Sequence, residues 1–96
     1  MDSAEILQKL KTIKPELQEK YGLQQLALFG SYSRNEQNGQ SDIDLLIDLS
    51  TPNASHFFSC AFFLEDIFYP QRVEVVSKNA IQPKYLNAIQ PDLIYA

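Results

Sequence analysis

The chain has 96 residues, of which 45% are hydrophobic; this is enough for the core of one domain spanning residues 1–96, and it excludes a disordered chain. Its formal net charge of −4, without a cluster of Lys and Arg, argues against a protein that grips a nucleic-acid backbone. A single cysteine, Cys60, excludes an internal disulfide, and no signal peptide or membrane-length apolar run is visible, so we expect a cytoplasmic protein.

An amphipathic helix is predicted over residues 3–20. Its apolar residues recur at intervals of three and four positions and so line one face: Ile6, Leu10, Ile13 and Leu17. Ser3 is a suitable cap for the first turn, and Gly22 marks the end of the helix. Because Pro15 lies inside the pattern, we expect a kink or a break near Lys14.

The first strand, predicted over residues 24–29, ends at Gly30 and Ser31. Gly30 lets the backbone turn sharply and approach a ligand closely, because it has no Cβ atom. Ser31 is a good N-cap for a short helix to about Gln37, and the amides at such a helix start attract anions. Arg34, one turn later, adds a guanidinium that suits a phosphate. We therefore expect phosphate binding at this turn.

A second strand, predicted from Asp42 to Leu49, carries two carboxylates. Side chains alternate across a strand, so Asp42 and Asp44 share a face, with Cβ atoms about 7 Å apart at a rise of about 3.3 Å per residue. Carboxylates this close raise each other's pKa unless a cation lies between them. Because Mg²⁺ prefers oxygen ligands and completes its shell with substrate phosphates, the pair predicts a magnesium site.

The rest of the chain is predicted as four elements: a phenylalanine-rich helix over 55–68, a strand over 72–77, a short helix over 83–89 and an extended piece over 93–95. Most of the phenylalanines are expected in the core, and any excess would form a protein-binding surface. If the third strand pairs beside the second, Glu74 points into the same site as a third carboxylate. The alternative is a solvent-facing strand glutamate.

These features together resemble a known family. Gly30-Ser31, ten residues, and then Asp42-x-Asp44 is similar to the signature of the minimal nucleotidyltransferases (MNT), in the DNA polymerase beta-like nucleotidyltransferase superfamily. The resemblance covers nearly the whole chain. It implies an α/β (α+β) fold in which a small mixed β-sheet of three to four strands is flanked by helices. The family usually has Asp where this chain has Glu74, whose side chain is one methylene longer.

The resemblance also implies an activity, a Mg²⁺-dependent transfer of AMP from ATP. Its catalytic and metal-binding residues would be Asp42, Asp44 and Glu74. Its nucleotide-binding residues would be Gly30, Ser31 and Arg34. Many members of the family are antitoxins of HEPN-domain RNase toxins, so the implied acceptor is a tyrosine hydroxyl of a HEPN partner. Because the chain ends soon after the third strand, we expect that partner to supply the acceptor.

Two alternatives stay open. An antitoxin that acts by binding and occlusion alone is favoured by the aromatic helix and by Glu74, and is opposed by the intact Gly30-Ser31 turn and Asp42. Replacing Asp42 by Ala distinguishes the two, because a pure binder would still neutralise its partner. A small-molecule nucleotidyltransferase of the antibiotic-modifying kind would instead label a compound without a protein partner.

Overall fold

A four-stranded mixed sheet organises the chain, seen here in a computed structural model that describes residues 1–51 and 53–96. In chain order the elements are α1 (Ser3–Tyr21), β1 (Leu23–Phe29), β2 (Ile43–Leu49), α2 (Ala54–Phe68), β3 (Val73–Ser77), α3 (Pro83–Ile89), a 3₁₀ turn (Gln90–Asp92) and β4 (Ile94–Tyr95). Strands lie in the order β3-β2-β1-β4. β1 runs antiparallel to β2 and β4, whereas β2 and β3 are parallel and joined through α2. The predicted fold class is confirmed.

The first helix begins and ends on residues whose chemistry fits those positions. Asp2, rather than Ser3, caps it: the Asp2 carboxylate accepts from Glu5 N at 2.9 Å, and Asp2 N donates to Glu5 Oε1 at 3.2 Å. This reciprocal pair satisfies two amides that a helix start leaves unpaired. The helix ends at Gly22, whose φ of 67° lies in the left-handed region. The cap on Ser3 was therefore predicted one residue too late.

Pro15 does not break α1, which is assigned without interruption from Ser3 to Tyr21, so the predicted break is wrong. Proline removes one backbone hydrogen bond in a helix interior. Leu10 and Leu17, fully buried on either side of it, bind both halves of the helix to the same core. Lys14 Nζ also donates to the carbonyl of Ala96 at 2.8 Å, which ties the middle of the helix to the chain end.

The two faces of the sheet have different partners, and this decides where the site opens. Ile43, Leu45 and Ile47 of β2 belong to the main core, together with buried side chains of α1 and α2. The alternate residue Leu46 belongs to a second, smaller cluster that includes Ile89 of α3. Side chains at every second position share a face, so the β2 carboxylates lie on the side of the smaller cluster. That side is only partly covered, which leaves room for a substrate.

α2 is the most apolar helix, and some of its apolar side chains lie outside the core. Cys60 and Leu64 are fully buried, as expected for Cys60 from the sequence. Phe58 and Phe62, by contrast, are 55% and 62% exposed, and their rings stack with centroids 6.3 Å apart. The prediction is confirmed for most of the phenylalanines of α2, which are buried in the core or packed against it: Phe57, Phe63 and Phe68. The exposed pair is the excess. Across residues 1–51 and 53–96, no helix combines the length and apolar character needed to cross a membrane.

Candidate active site

The end of β1 and the start of β2 bring Gly30 against Asp44. The antiparallel register pairs Phe29 with Asp44, so the next residue of the chain, Gly30, turns directly beside that carboxylate. Gly30 has a φ of 77°, and a Cβ atom built on it would collide with the carboxylate of Asp44. Only glycine fits this backbone conformation and this close approach. The glycine singled out in the sequence is thus required by the geometry of the site.

The segment after Gly30 is a series of overlapping turns, so the predicted helix from Ser31 to about Gln37 is wrong. The amide of Ser33 donates to the Gly30 carbonyl at 3.1 Å, and the amide of Glu36 donates to the Ser31 carbonyl at 2.9 Å. Asn35 then adopts a positive φ of 57°, which ends the helical progression after about one turn. A helix dipole is therefore not available to attract an anion at Ser31.

The turn nevertheless offers backbone donors and is firmly held. Within the described part of the chain, the amides of Ser31 and Tyr32 donate no hydrogen bond, so both are free for a ligand. The Tyr32 ring is buried in the main core, and its hydroxyl accepts a hydrogen bond from Gln71 Nε2 at 3.0 Å. The same Gln71 amide donates to the Ser41 carbonyl at 2.9 Å. One side chain thus fixes the turn to the loop that leads into β2.

β3 places Glu74 at the site. The parallel register pairs Asp44 with Glu74 and Leu46 with Val76, so the two carboxylates are neighbours on adjacent strands. Neighbouring residues in register lie on the same face of a sheet. The condition for a third carboxylate, namely that β3 pairs beside β2, is met. Glu74 is exposed, whereas Asp44 is partly buried.

Burial and the neighbouring carboxylates raise the pKa of Asp44. Burial, followed by the charge of Glu74, a hydrogen bond with Glu74 and the charge of Asp42, raises the pKa of Asp44 from 3.8 to about 6. The positive charge of Arg34 acts in the opposite direction. A carboxylate that is disfavoured by burial and by like charges gains most from a nearby cation. The site therefore has the electrostatics of a cation site.

Asp42 lies at the mouth of the same site and faces an arginine. Arg72 Nε is 3.0 Å from Asp42 Oδ1, although this oxygen is buried and has no hydrogen-bond partner among the described residues. The contact is therefore an ion pair that does not have hydrogen-bond geometry. A ligand cation at Asp42 would have to compete with Arg72.

Arg34 forms ion pairs with two carboxylates that are not among the proposed metal ligands. Its guanidinium donates to Glu36 Oε1 and to Asp92 Oδ2, both at 2.6 Å. Both contacts raise the pKa of Arg34. The residue lies close enough to influence Asp44, and the two ion pairs use only Nε and Nη1 of its guanidinium. Its role in nucleotide binding stays a prediction.

Two further residues border the site and were not singled out for it in the sequence. Arg72 is the residue just before β3, and only the pairing of β2 with β3 brings it to Asp42. Tyr85 of α3 lines a surface pocket together with Glu74, and burial, followed by the charges of Glu74 and Asp44, raises the pKa of its hydroxyl. The contacts involved join distant parts of the chain, so no local sequence signal could have found them.

The residues present fit a magnesium ion, but as a pair rather than a triad. Within residues 1–51 and 53–96, no three His, Cys, Asp or Glu side chains are grouped closely enough to hold a metal. Mg²⁺ commonly takes only one or two protein carboxylates and fills its shell with water and phosphate oxygens. The Asp42 oxygen that accepts no hydrogen bond and the raised pKa of Asp44 suit that arrangement. The role of Glu74 as a third ligand stays a prediction.

Comparison with known sequences gives the same assignment. The profile of the nucleotidyltransferase domain family matches residues 10–94. A chain of Methanocaldococcus jannaschii, named as a candidate protein adenylyltransferase, is 43% identical over 93 residues, which cover 95% of this chain and 91% of the relative. The protein adenylyltransferase MntA of Thermococcus cleftensis is 30% identical over 92 residues, covering 95% of this chain and 92% of that protein.

Solved structures agree on the fold. A structure described as a candidate minimal nucleotidyltransferase superposes with a TM-score of 0.79 at 23% identity, covering 98% of this chain and 95% of the other. A mutant of the MntA–HpeT toxin–antitoxin pair superposes with a TM-score of 0.68 at 20% identity, covering 99% of this chain and 72% of the other. The fold, the family profile and the relatives are consistent with one another. The chain therefore belongs to the nucleotidyltransferase domain family.

Proposed function

We propose that this chain is an antitoxin that transfers AMP from ATP to a partner toxin and so neutralises it. The proposal rests above all on Asp42 and Asp44, which lie beside the tight turn at Gly30. Glu74 is in register with Asp44 on the neighbouring strand. Carboxylate oxygens next to free backbone amides suit a metal-bound triphosphate. A relative named protein adenylyltransferase and a structural neighbour described as a toxin–antitoxin pair support a toxin as acceptor.

In the proposed reaction the acceptor hydroxyl oxygen attacks the α-phosphorus of ATP. The bond from that phosphorus to the oxygen bridging the β-phosphate breaks, and pyrophosphate leaves. Glu74, exposed at the site, accepts the proton of the hydroxyl, while the amides of Ser31 and Tyr32 bind phosphate oxygens. Asp42 and Asp44 would hold Mg²⁺, which when bound stabilises charge on the attacking and leaving oxygens.

The acceptor follows from the family resemblance. Many members of the minimal nucleotidyltransferase family, which this chain resembles, are antitoxins of HEPN-domain RNases, so we infer that the acceptor is a tyrosine hydroxyl of such a toxin. A phenol has to lose its proton as it attacks, and this step requires a base such as Glu74.

Intact-protein mass spectrometry tests the proposal. The cognate toxin, incubated with ATP, Mg²⁺ and this chain, should gain the mass of one or more AMP groups. The variant Asp42→Asn should lose this transfer. Asp48→Asn is the matched control, because Asp48 shares a face of β2 with Asp44 but pairs with Gln25 at the far end of the strand. A toxin that is neutralised by the wild-type chain but gains no mass would contradict the proposal.

One observation favours a second candidate, an antitoxin that acts by occlusion. Phe58 and Phe62 form an exposed stacked pair on α2, and exposed aromatic surface of this kind is typical of protein interfaces. In that case Asp42→Asn would still neutralise the toxin, whereas replacement of both phenylalanines would not. If both kinds of variant fail, the surface serves the enzyme by presenting its acceptor.

A further inference from the structure

Arg72 is an exposed cation at the edge of the proposed site. Its side chain is 77% exposed, and its ion pair with Asp42 is a single contact at 3.0 Å. The backbone beneath it is fixed, because the Arg72 carbonyl accepts a hydrogen bond from Ile43 N at 2.9 Å. The residue also borders two surface pockets, one beside the loop at Gly39 and one beside Tyr69. The guanidinium therefore has a fixed base and open space on either side.

The other arginine near the site is engaged differently. Arg34 is held by two carboxylates, Glu36 and Asp92, both at 2.6 Å, and neither is a proposed metal ligand. Arg72 has one partner in the described structure, and that partner is the proposed metal ligand Asp42. A divalent cation arriving at Asp42 would thus displace Arg72 while leaving both partners of Arg34 in place.

We propose that Arg72 is a phosphate-binding residue that Asp42 holds until the metal arrives. The Arg72 guanidinium is paired with the carboxylate that would hold the metal. A metal held by Asp42 would free Arg72 beside the triphosphate, and a guanidinium donates readily to phosphate oxygens. This inference rests on the proposed function, because it assumes a metal-bound nucleotide at Asp42 and Asp44. It assigns to Arg72 the phosphate contact that the sequence suggested for Arg34.

The proposal makes two predictions of opposite sign for one variant. Arg72→Gln removes a cation that competes for Asp42, so Mg²⁺ alone should bind more tightly. Since the ion pair is exposed, the gain should be small, about two- to fivefold. The same variant loses a charged donor to phosphate, so a nucleotide with saturating Mg²⁺ should bind about tenfold or more weakly. A merely structural role would move both affinities in the same direction or leave both unchanged.

The experiment is isothermal titration calorimetry on the whole chain, first with Mg²⁺ alone and then with α,β-methylene-ATP at saturating Mg²⁺. This analogue cannot be cleaved at the reactive bond, so binding is measured without transfer. Arg72→Lys keeps the charge but loses the planar fork, and we expect an intermediate loss of nucleotide affinity. Lys78→Gln is the charge-matched control: Lys78 follows the other end of β3 and donates to Gln25.

The outcomes are decisive. Tighter Mg²⁺ binding together with weaker nucleotide binding in Arg72→Gln, with Lys78→Gln like the wild type, supports the proposal. An unchanged or weaker Mg²⁺ affinity, or an unchanged nucleotide affinity, overturns it. If the wild type transfers AMP and Arg72→Gln matches it in both titrations, only the role of Arg72 falls. If the wild type transfers no AMP, the proposed function falls, and the titrations still decide the role of Arg72.

Discussion

Replacement of Asp44 by asparagine should stabilise the metal-free protein at neutral pH, although it removes a proposed catalytic group. The folded site raises the pKa of Asp44 from 3.8 to about 6, chiefly by burial and then by the charge of Glu74. At pH 8 the carboxylate is therefore ionised in surroundings that disfavour the charge. Asparagine has nearly the same shape and carries no charge.

The magnitude follows from the same shift. A pKa raised from 3.8 to about 6, at about 1.4 kcal/mol per pKa unit, corresponds to about 3 kcal/mol of free energy of unfolding. Solvent screens a partly exposed group, so we expect about 1–2 kcal/mol for the substitution. The sign depends on pH. Below about pH 4 Asp44 is protonated in the folded protein and does not reduce the stability of the wild type. As the pH rises through about 6 the carboxylate ionises in the folded site, and the wild type loses this stability.

The assay is urea unfolding of the wild type and of Asp44→Asn in EDTA at pH 4 and pH 8. The two proteins should be about equally stable at pH 4, and the variant should be more stable at pH 8. Asp48→Asn, on the same strand, is the control. Addition of Mg²⁺ at pH 8 should raise the stability of the wild type and not that of Asp44→Asn. A variant less stable than the wild type at pH 8 in EDTA would refute the reasoning.

Three further predictions concern single parts of the site and its surroundings. Gly30→Ala should lower the free energy of unfolding in urea by about 1–3 kcal/mol and abolish transfer, because the backbone is left-handed there and a Cβ atom would meet Asp44. Unchanged transfer activity would contradict this prediction. Glu74→Gln should lower kcat by about 10²–10⁴-fold and leave calorimetric nucleotide affinity nearly unchanged, if Glu74 is the base; a loss confined to affinity would make it a ligand instead. Phe62→Ser should weaken the toxin complex on a sizing column without lowering thermal stability, because the ring is exposed, whereas equal binding would exclude this face.

Much of the site could be predicted because its chemistry is local in the sequence. Alternation along β2 places Asp42 and Asp44 from their spacing alone, and a glycine after an apolar strand marks a tight turn. The expected position of Glu74 followed from one assumption, that β3 pairs beside β2, and the parallel register meets it. The strands and the longer helices were found within a few residues of their bounds.

The errors have physical causes of two kinds. Local propensity suggested a helix after Ser31, but the positive φ of Asn35 ends it, and nothing in the sequence marks this asparagine for that conformation. Other features depend on tertiary contacts. Arg34 is engaged by Asp92, 58 positions away, and Pro15 is tolerated because the packed core holds both halves of α1. Contacts of this length leave no pattern in one sequence.

The most direct measurement follows the label of ATP into the toxin. ATP carrying a radioactive phosphorus at the α or at the γ position is incubated with this chain, Mg²⁺ and the cognate toxin. We expect label on the toxin from the α position only. Transfer should be lost in Asp42→Ala/Asp44→Ala and retained in Asp48→Asn. Label from the γ position would mean a kinase. No label from either position, together with a stable complex and full neutralisation, would mean that the antitoxin acts by occlusion, and nucleotidyl transfer would be contradicted.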